Sequence, residues 1–270
     1  MSEPTPHAPA PAPAPANAPA PAPAPKTPTP FDPLDAVLFD LDGVLTPTAE
    51  VHMLAWARLF EPFLAARGVA PYTDADYFAY IDGKPRYAGV ASLLVSRGIV
   101  VPDGEPTDSP DLDTVCGLGN RKNGVFTSVL ASDGVAPYPG SVAFLDAVQS
   151  RGVAVAVVSS SKNARPVLTA AGLIDRFEVI VDGVVAAEHG IAGKPAPDTY
   201  LYGAALLGVP ATRAVVVEDA HSGVAAGRAG GFGLVLGVDR GAGHEELLAS
   251  GADVVVDDLG ELVAGLTRKD

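Results

Sequence analysis

The chain is poor in cysteine, tryptophan and positive charge. Of its 270 residues, one is a cysteine, Cys116, and one a tryptophan, Trp56. A single cysteine excludes an internal disulfide. No neighbouring feature points to a lowered thiol pKa, so Cys116 reads as a buried thiol rather than a nucleophile. Lysine and arginine number 18 against 32 acidic residues, for a net charge of −14. That sign opposes nucleic-acid binding, which rests on basic surface. No apolar run reaches the length of a membrane span, so no membrane partner is expected. The N-terminal stretch has proline where a secretory signal needs an apolar core. With neither disulfide nor signal, a reducing cytoplasm is the expected setting.

Proline is abundant but uneven. The first thirty residues hold 12 of the 26 prolines, mostly in a Pro-Ala alternation from Ala8 to Pro25. Such a segment favours extended polyproline conformations and has little to pack, so residues 1–30 are expected to be a disordered tail. Glu3 and Lys26 cancel, and the charge belongs to the remainder.

From residue 35 onward short β-rich runs alternate with helical stretches. The runs are 36–39, 153–158, 177–181, 214–217, 233–236 and 253–256. Amphipathic stretches cover 142–150, 164–171, 198–207, 223–229 and 245–249. This alternation predicts an α/β fold: a Rossmann-like, doubly wound parallel sheet with helices on both faces. The runs carry few polar residues, as strands covered on both sides do. One interval breaks the pattern. Between Thr46 and Pro139 no strand is evident, and helical stretches lie near 50–67, 74–80, 86–97 and 114–132, with a Pro-, Asp- and Gly-rich loop over 100–111. Residues 47–137 are therefore expected to form an inserted α-helical cap, hinged near Pro47 and Pro137, on a core of 31–46 and 138–270. Such a cap stands beside the carboxyl ends of the strands, where open α/β sheets bind ligands.

The strand ends carry the chemistry. Val37-Leu38-Phe39-Asp40-Leu41-Asp42-Gly43 places two carboxylates two residues apart as an apolar strand ends. The side-chain period of a strand puts Asp40 and Asp42 on one side. An Asp-Gly turn would explain Asp42 and Gly43 alone. The other ends repeat the theme. Ser159-Ser160-Ser161-Lys162-Asn163 offers hydroxyls, a cation and free helix amides for an anion. Lys194 precedes a proline-started helix. Val217-Glu218-Asp219 again ends a strand in acids. Oxygen ligands without a nearby His or Cys cluster suit Mg²⁺ rather than Zn²⁺. Phosphoryl transfer needs these parts: a carboxylate nucleophile, a metal and a cation against the phosphoryl charge, and an acid/base for the leaving oxygen. On residue types alone Asp40 is placed as nucleophile, Asp42 as acid/base, and Glu218 and Asp219 with Asp40 as metal ligands.

In this order the four motifs resemble the haloacid dehalogenase superfamily, over residues 35 to about 257. Within it the chain is most similar to the β-phosphoglucomutase-like family. Thr46-Pro47-Thr48-Ala49-Glu50-Val51-His52 with Trp56 follows that family's first motif, Gly83-Lys84-Pro85-Arg86 its cap substrate loop, and Arg121-Lys122-Asn123 a second cap motif. The resemblance implies that Asp40 is phosphorylated. It implies that Asp42 is the acid/base and also offers its backbone carbonyl to Mg²⁺, with Glu218 and Asp219 completing the metal site. Ser159 and Lys194 would hold the transferring phosphoryl group. Ser161, Lys162 and Asn163 would touch substrate from the core, and Gly83, Lys84, Arg86, Lys122 and Asn123 from the cap. His52 would couple binding to closure, with Trp56 packed nearby. Two positions depart from the family: Pro47 replaces an aspartate, and Asp82 replaces the lysine before the cap glycine. The implied function is a Mg²⁺-dependent phosphomutase taking β-glucose 1-phosphate to glucose 6-phosphate, with a sugar bisphosphate as activator or intermediate. A sugar-phosphate phosphatase is the alternative, and a non-catalytic sugar-phosphate binder a further one. A monomer is expected.

Overall fold

The structure is a computed structural model and describes Met1 and residues 34–267. The expected Pro/Ala tail, Met1 apart, lies outside the described residues. Six strands form one parallel sheet: β1 Ala36–Phe39, β2 Ala154–Val158, β3 Val179–Val181, β4 Ala214–Glu218, β5 Leu234–Val238 and β6 Val254–Val256, in spatial order β3-β2-β1-β4-β5-β6. Successive side chains alternate between its faces. Val37, Phe39, Val157 and Val217 pack one way, with Phe39 edge-on to Phe144 and Phe177. Leu38, Ala156, Val158 and Val216 pack the other way, against Tyr200, Ala204 and Val224. Both faces are covered, as the apolar runs require.

Helices α1 Thr48–Ala65, α2 Asp74–Asp76, α3 Arg86–Ser96 and α4 Val115–Asp133 lie between β1 and β2. They have an apolar cluster of their own, in which Trp56 stacks on Phe60 at 5.5 Å and Leu93, Leu94 and Leu118 are buried. Where a helix over 74–80 was expected, α2 passes into a π-helical turn, Tyr77–Ile81. Residues 100–111 form a loop, as their composition predicts. The remaining helices are α5 Pro139–Ser150, α6 Ala164–Ala170, α7 Gly183–Glu188, α8 Asp198–Leu206, α9 His221–Ala229, α10 His244–Ser250 and α11 Val263–Thr267. Helix α5 starts three residues before the expected boundary because Pro139, with its φ preset, occupies the first turn. Helix α7 was not expected. It is nucleated by Asp182, whose carboxylate accepts the amides of Val184 and Val185 at 2.9 Å.

The chain runs β1-β2-β3 to one side of the sheet and β4-β5-β6 to the other. The register pairs Phe39 with both Val157 and Val217, so Asp40 emerges beside Val158 and Glu218. A central strand flanked by these two neighbours is where ligands bind in such sheets.

Candidate active site

Asp40 leaves β1 with its amide on Val217 O at 2.9 Å and its side chain buried. The chain then turns at Gly43, whose φ of +84° is open to glycine. A Cβ there would also lie 1.7 Å from Asp219 Oδ2. The glycine thus lets the first and last acidic motifs come together. Arg240 holds the same turn, its Nε donating to Gly43 O at 3.0 Å. Asp42 is gripped by the hydroxyl of Thr48, which also bonds Thr46 at 2.8 Å.

Lys194 is buried beneath these groups. Its Nζ donates to Asp40 Oδ1 and Glu218 Oε1, each at 2.5 Å, and to Val158 O at 3.0 Å. Burial works against its charge, but Asp40 and Glu218 outweigh that and hold the ammonium above the ordinary lysine range. Burial pushes Asp40 well above the usual carboxylate range, with Lys194 opposing. Burial does the same to Asp219, with Asp82 and Asp40 adding repulsion. Asp42 is raised by burial against the Thr48 hydrogen bond.

One cavity of about 60 Å³ is lined by almost all the predicted site residues: Asp40, Asp42, His52, Trp56, Gly83, Lys84, Arg86, Lys122, Ser159, Ser161, Lys162, Asn163, Glu218 and Asp219. Lys194 and Asn123 are not among the lining residues but bond to residues that are. The lining combines carboxylates with several cations. Asn123 Oδ1 accepts from Arg86 Nη2 at 2.8 Å and from Asn163 Nδ2 at 2.7 Å, tying cap to core. Ser159 Oγ accepts the amide of Ser161, and Ser161 Oγ that of Asn163, both at 3.1 Å. Lys162 Nζ sits 5.5 Å from the Tyr87 ring centroid. His52 Nδ1 meets Lys122 Nζ at 2.6 Å, and its Nε2 lies 3.6 Å from Asp42 Oδ1. Burial, then Lys122 and Arg86, drive His52 well below its ordinary pKa, and burial with Arg86 lowers Lys122 to about 7. A neutral imidazole accepting from the lysine satisfies both shifts. Trp56 stacks in the cap core and offers its other edge to the cavity. Lys84 lines the cavity, but its ammonium turns back to Tyr80 O at 2.9 Å and Ser92 Oγ at 3.1 Å.

Sequence reasoning missed three hydroxyls. Ser160 Oγ donates to Gly83 O at 2.8 Å and Ser222 Oγ to Asp82 O at 3.0 Å, so two core serines clasp consecutive carbonyls of the cap loop. Tyr200 OH donates to Glu218 Oε1 at 2.7 Å. Ser160 lies inside the stretch read for an anion and Ser222 follows the acidic end of β4, and nothing local marks either as reaching the cap. A space of about 60 Å³ holds a few waters.

The donor set fits a hard divalent cation. Asp40, Glu218 and Asp219 are buried and each offers an oxygen within 4.8 Å of the others. Packed like charges of this kind are costly without a cation. Glu218 is the most committed of the three. Its Oε1 takes Lys194 and Tyr200, and its Oε2 the amides of Asp219 and Ala220 at 3.2 and 3.3 Å.

Residues 34–231 match the family model for haloacid dehalogenase-like hydrolases. The chain belongs to that family. It is 52% identical over 239 residues to the β-phosphoglucomutase of Mycobacterium bovis, covering 84% of this chain and 91% of that protein. It is 31% identical over 240 residues to the β-phosphoglucomutase of Bacillus subtilis, covering 88% and 95%. A β-phosphoglucomutase structure from Clostridium difficile superimposes with a TM-score of 0.69 at 26% identity, covering 85% of this chain and 93% of that one. The family's Rossmann-like parallel sheet is the one described above, and the chain is an enzyme of the phosphotransferase and hydrolase class it comprises. Among the described residues no helix is long and apolar enough to cross a membrane.

Proposed function

We propose that this enzyme is a Mg²⁺-dependent sugar-phosphate phosphomutase acting through an aspartyl-phosphate on Asp40, with β-glucose 1-phosphate and glucose 6-phosphate as its substrate pair. The observation that carries the reading is one cavity lined by two chemically distinct groups of residues. Asp40, Asp42 and Asp219 make up the acidic group, and Arg86, Lys162 and Asn163 a group of donors, in which Asn123 joins Arg86 to Asn163. A sugar with two phosphates would meet both groups at once.

An oxygen of Asp40 attacks phosphorus in line as the bond to the sugar oxygen breaks, and Asp42, as the acid, gives that oxygen its proton. Ser159 and Lys194 would steady the phosphoryl group; Lys194 already donates to Asp40. In the return step Asp42 takes the proton of a sugar hydroxyl, whose oxygen attacks phosphorus and releases the Asp40 carboxylate. A sugar monophosphate thus becomes the bisphosphate. Turned end for end, the bisphosphate returns its other phosphoryl to Asp40 and leaves as the isomer. Asp40 and Asp219, with the backbone carbonyl of Asp42, would hold Mg²⁺ directly, and Glu218, whose oxygens already carry four donors, would complete the acidic set by holding Lys194; the ion would offset charge on the phosphoryl oxygens. The cap, taken as 47–137 with hinges near Pro47 and Pro137, would open to admit substrate and close to exclude water. The lone, buried Cys116 suits a reducing cytoplasm, and two layers with their own cores suit a monomer.

The test mixes the protein with β-glucose 1-phosphate, Mg²⁺ and a trace of the 1,6-bisphosphate. Glucose 6-phosphate without matching free phosphate is expected, whereas stoichiometric phosphate release makes the enzyme a phosphatase. Asp40→Asn should abolish turnover with the fold intact; wild-type rates in that variant would remove the nucleophile.

A further inference from the structure

Tyr200, at the third position of α8, is fully buried on the face of the sheet beneath the site. It touches both members of one ion pair by different means. Its hydroxyl donates to Glu218 Oε1 at 2.7 Å. Its ring centroid lies 4.8 Å from Lys194 Nζ, within the range of a cation–π contact. Its far edge is wedged against Phe232 at 6.0 Å.

Glu218 receives four protein donors, two on each oxygen. A carboxylate has about four acceptor sites, so the set is full. A carboxylate in such a frame cannot swing, and Lys194 cannot leave without stranding it. We infer that Tyr200 is a positioning residue, whose hydroxyl locks the Glu218 carboxylate and thereby fixes Lys194 against Asp40. Glu218 then serves first as the anchor of Lys194. This rests on the proposed role of Lys194 toward the transferring phosphoryl group. A core tyrosine chosen only for its bulk would instead tolerate phenylalanine without loss.

Tyr200→Phe keeps the ring and removes the donor. The expected result is a kcat lower by roughly tenfold, the scale of one lost hydrogen bond to a charged group. KM and the thermal midpoint should hardly move, because neither substrate binding nor packing is touched. Introducing p-aminophenylalanine at position 200 restores a donor and should restore most of kcat, whereas the isosteric p-chlorophenylalanine should not. That pair also decides the question should Tyr200→Phe fold poorly. In a Glu218→Gln background Tyr200→Phe should cost little further, as expected of residues that act as one unit. Equal kcat in the amino and chloro proteins, or the full Tyr200→Phe loss in the Glu218→Gln background, overturns the inference. Lys194→Ala is the control. If it retains activity, the role of Lys194 fails; if it is inactive while Tyr200→Phe is unaffected, only the role of Tyr200 fails.

Discussion

Replacing Gly83 by alanine should injure the proposed cap closure through one identifiable collision. Gly83 has a φ of +67°, and a Cβ there would lie 2.1 Å from Ser222 Oγ and 3.0 Å from Ala220 Cβ. The left-handed backbone costs a non-glycine residue about 1–2 kcal/mol. That cost falls on stability wherever the loop keeps this turn, open or closed. On the proposed motion of the cap, the collision falls on the closed state alone, because Ser222 follows β4 of the sheet and Gly83 lies in the helical insertion. To relieve it Ser222 must rotate and give up its 3.0 Å bond to Asp82 O, a loss of about 0.5–1.5 kcal/mol. Crowding against Ala220 brings the closure penalty to about 1.5 kcal/mol, or roughly tenfold in the closed population. The assay follows isomerisation of β-glucose 1-phosphate, free phosphate release and the urea midpoint together. Isomerisation should fall roughly tenfold and the ratio of phosphate to isomer should rise. The decisive comparison adds Ser222→Ala. In the wild-type background that change removes a clasp and should slow isomerisation; in the Gly83→Ala background it removes the obstacle and should speed it. If Ser222→Ala slows both proteins alike, the steric account of Gly83 is wrong.

Ser160→Ala deletes the other clasp, the 2.8 Å bond to Gly83 O. A several-fold rise in phosphate released per turnover is expected, and an unchanged ratio would show that this bond does not help seal the cap. Lys122 gives a pH test. Its pKa falls from 10.5 to about 7 on folding, so between those values the unfolded chain binds more protons. Stability should therefore rise with pH across that window, by up to about 1.4 kcal/mol per unit. Urea midpoints at pH 7 and pH 9 should diverge in the wild type and converge in Lys122→Met. Mg²⁺ should raise the thermal midpoint of the wild type by neutralising Asp40 and Asp219, and raise that of Asp219→Asn less. An equal rise in both would place the ion elsewhere. Phe39→Ala empties a fully buried position that touches Phe144 and Phe177; urea unfolding should report a loss of about 3–5 kcal/mol, and less than 1 kcal/mol would deny Phe39 its place in the core.

The sheet was legible because its strands are buried on both faces. Runs such as Val153–Val158 and Ala214–Val217 admit almost no polar residue, and their ends shift by only a residue or two in the structure. Asp40, Asp42, Ser159, Glu218 and Asp219 were legible for a related reason. A parallel sheet collects its strand ends on one edge, so chemistry written after each strand converges. Helix α7 was not legible, since one aspartate cap carries it rather than a periodic face. Nor was the direction of Lys84, whose flexible stem lets its ammonium choose Ser92 over the cavity.

From the order of its residues alone this chain had a parallel sheet, an acidic edge and a helical insertion above it, because periodicity and burial act over a few residues. Tertiary structure decided that Ser160 and Ser222 reach the cap, that Asn123 joins Arg86 to Asn163, and that Tyr200 holds Glu218. Each rests on one or two hydrogen bonds between segments separated in the chain. Its partner is selected by distance in space, which local pattern does not encode.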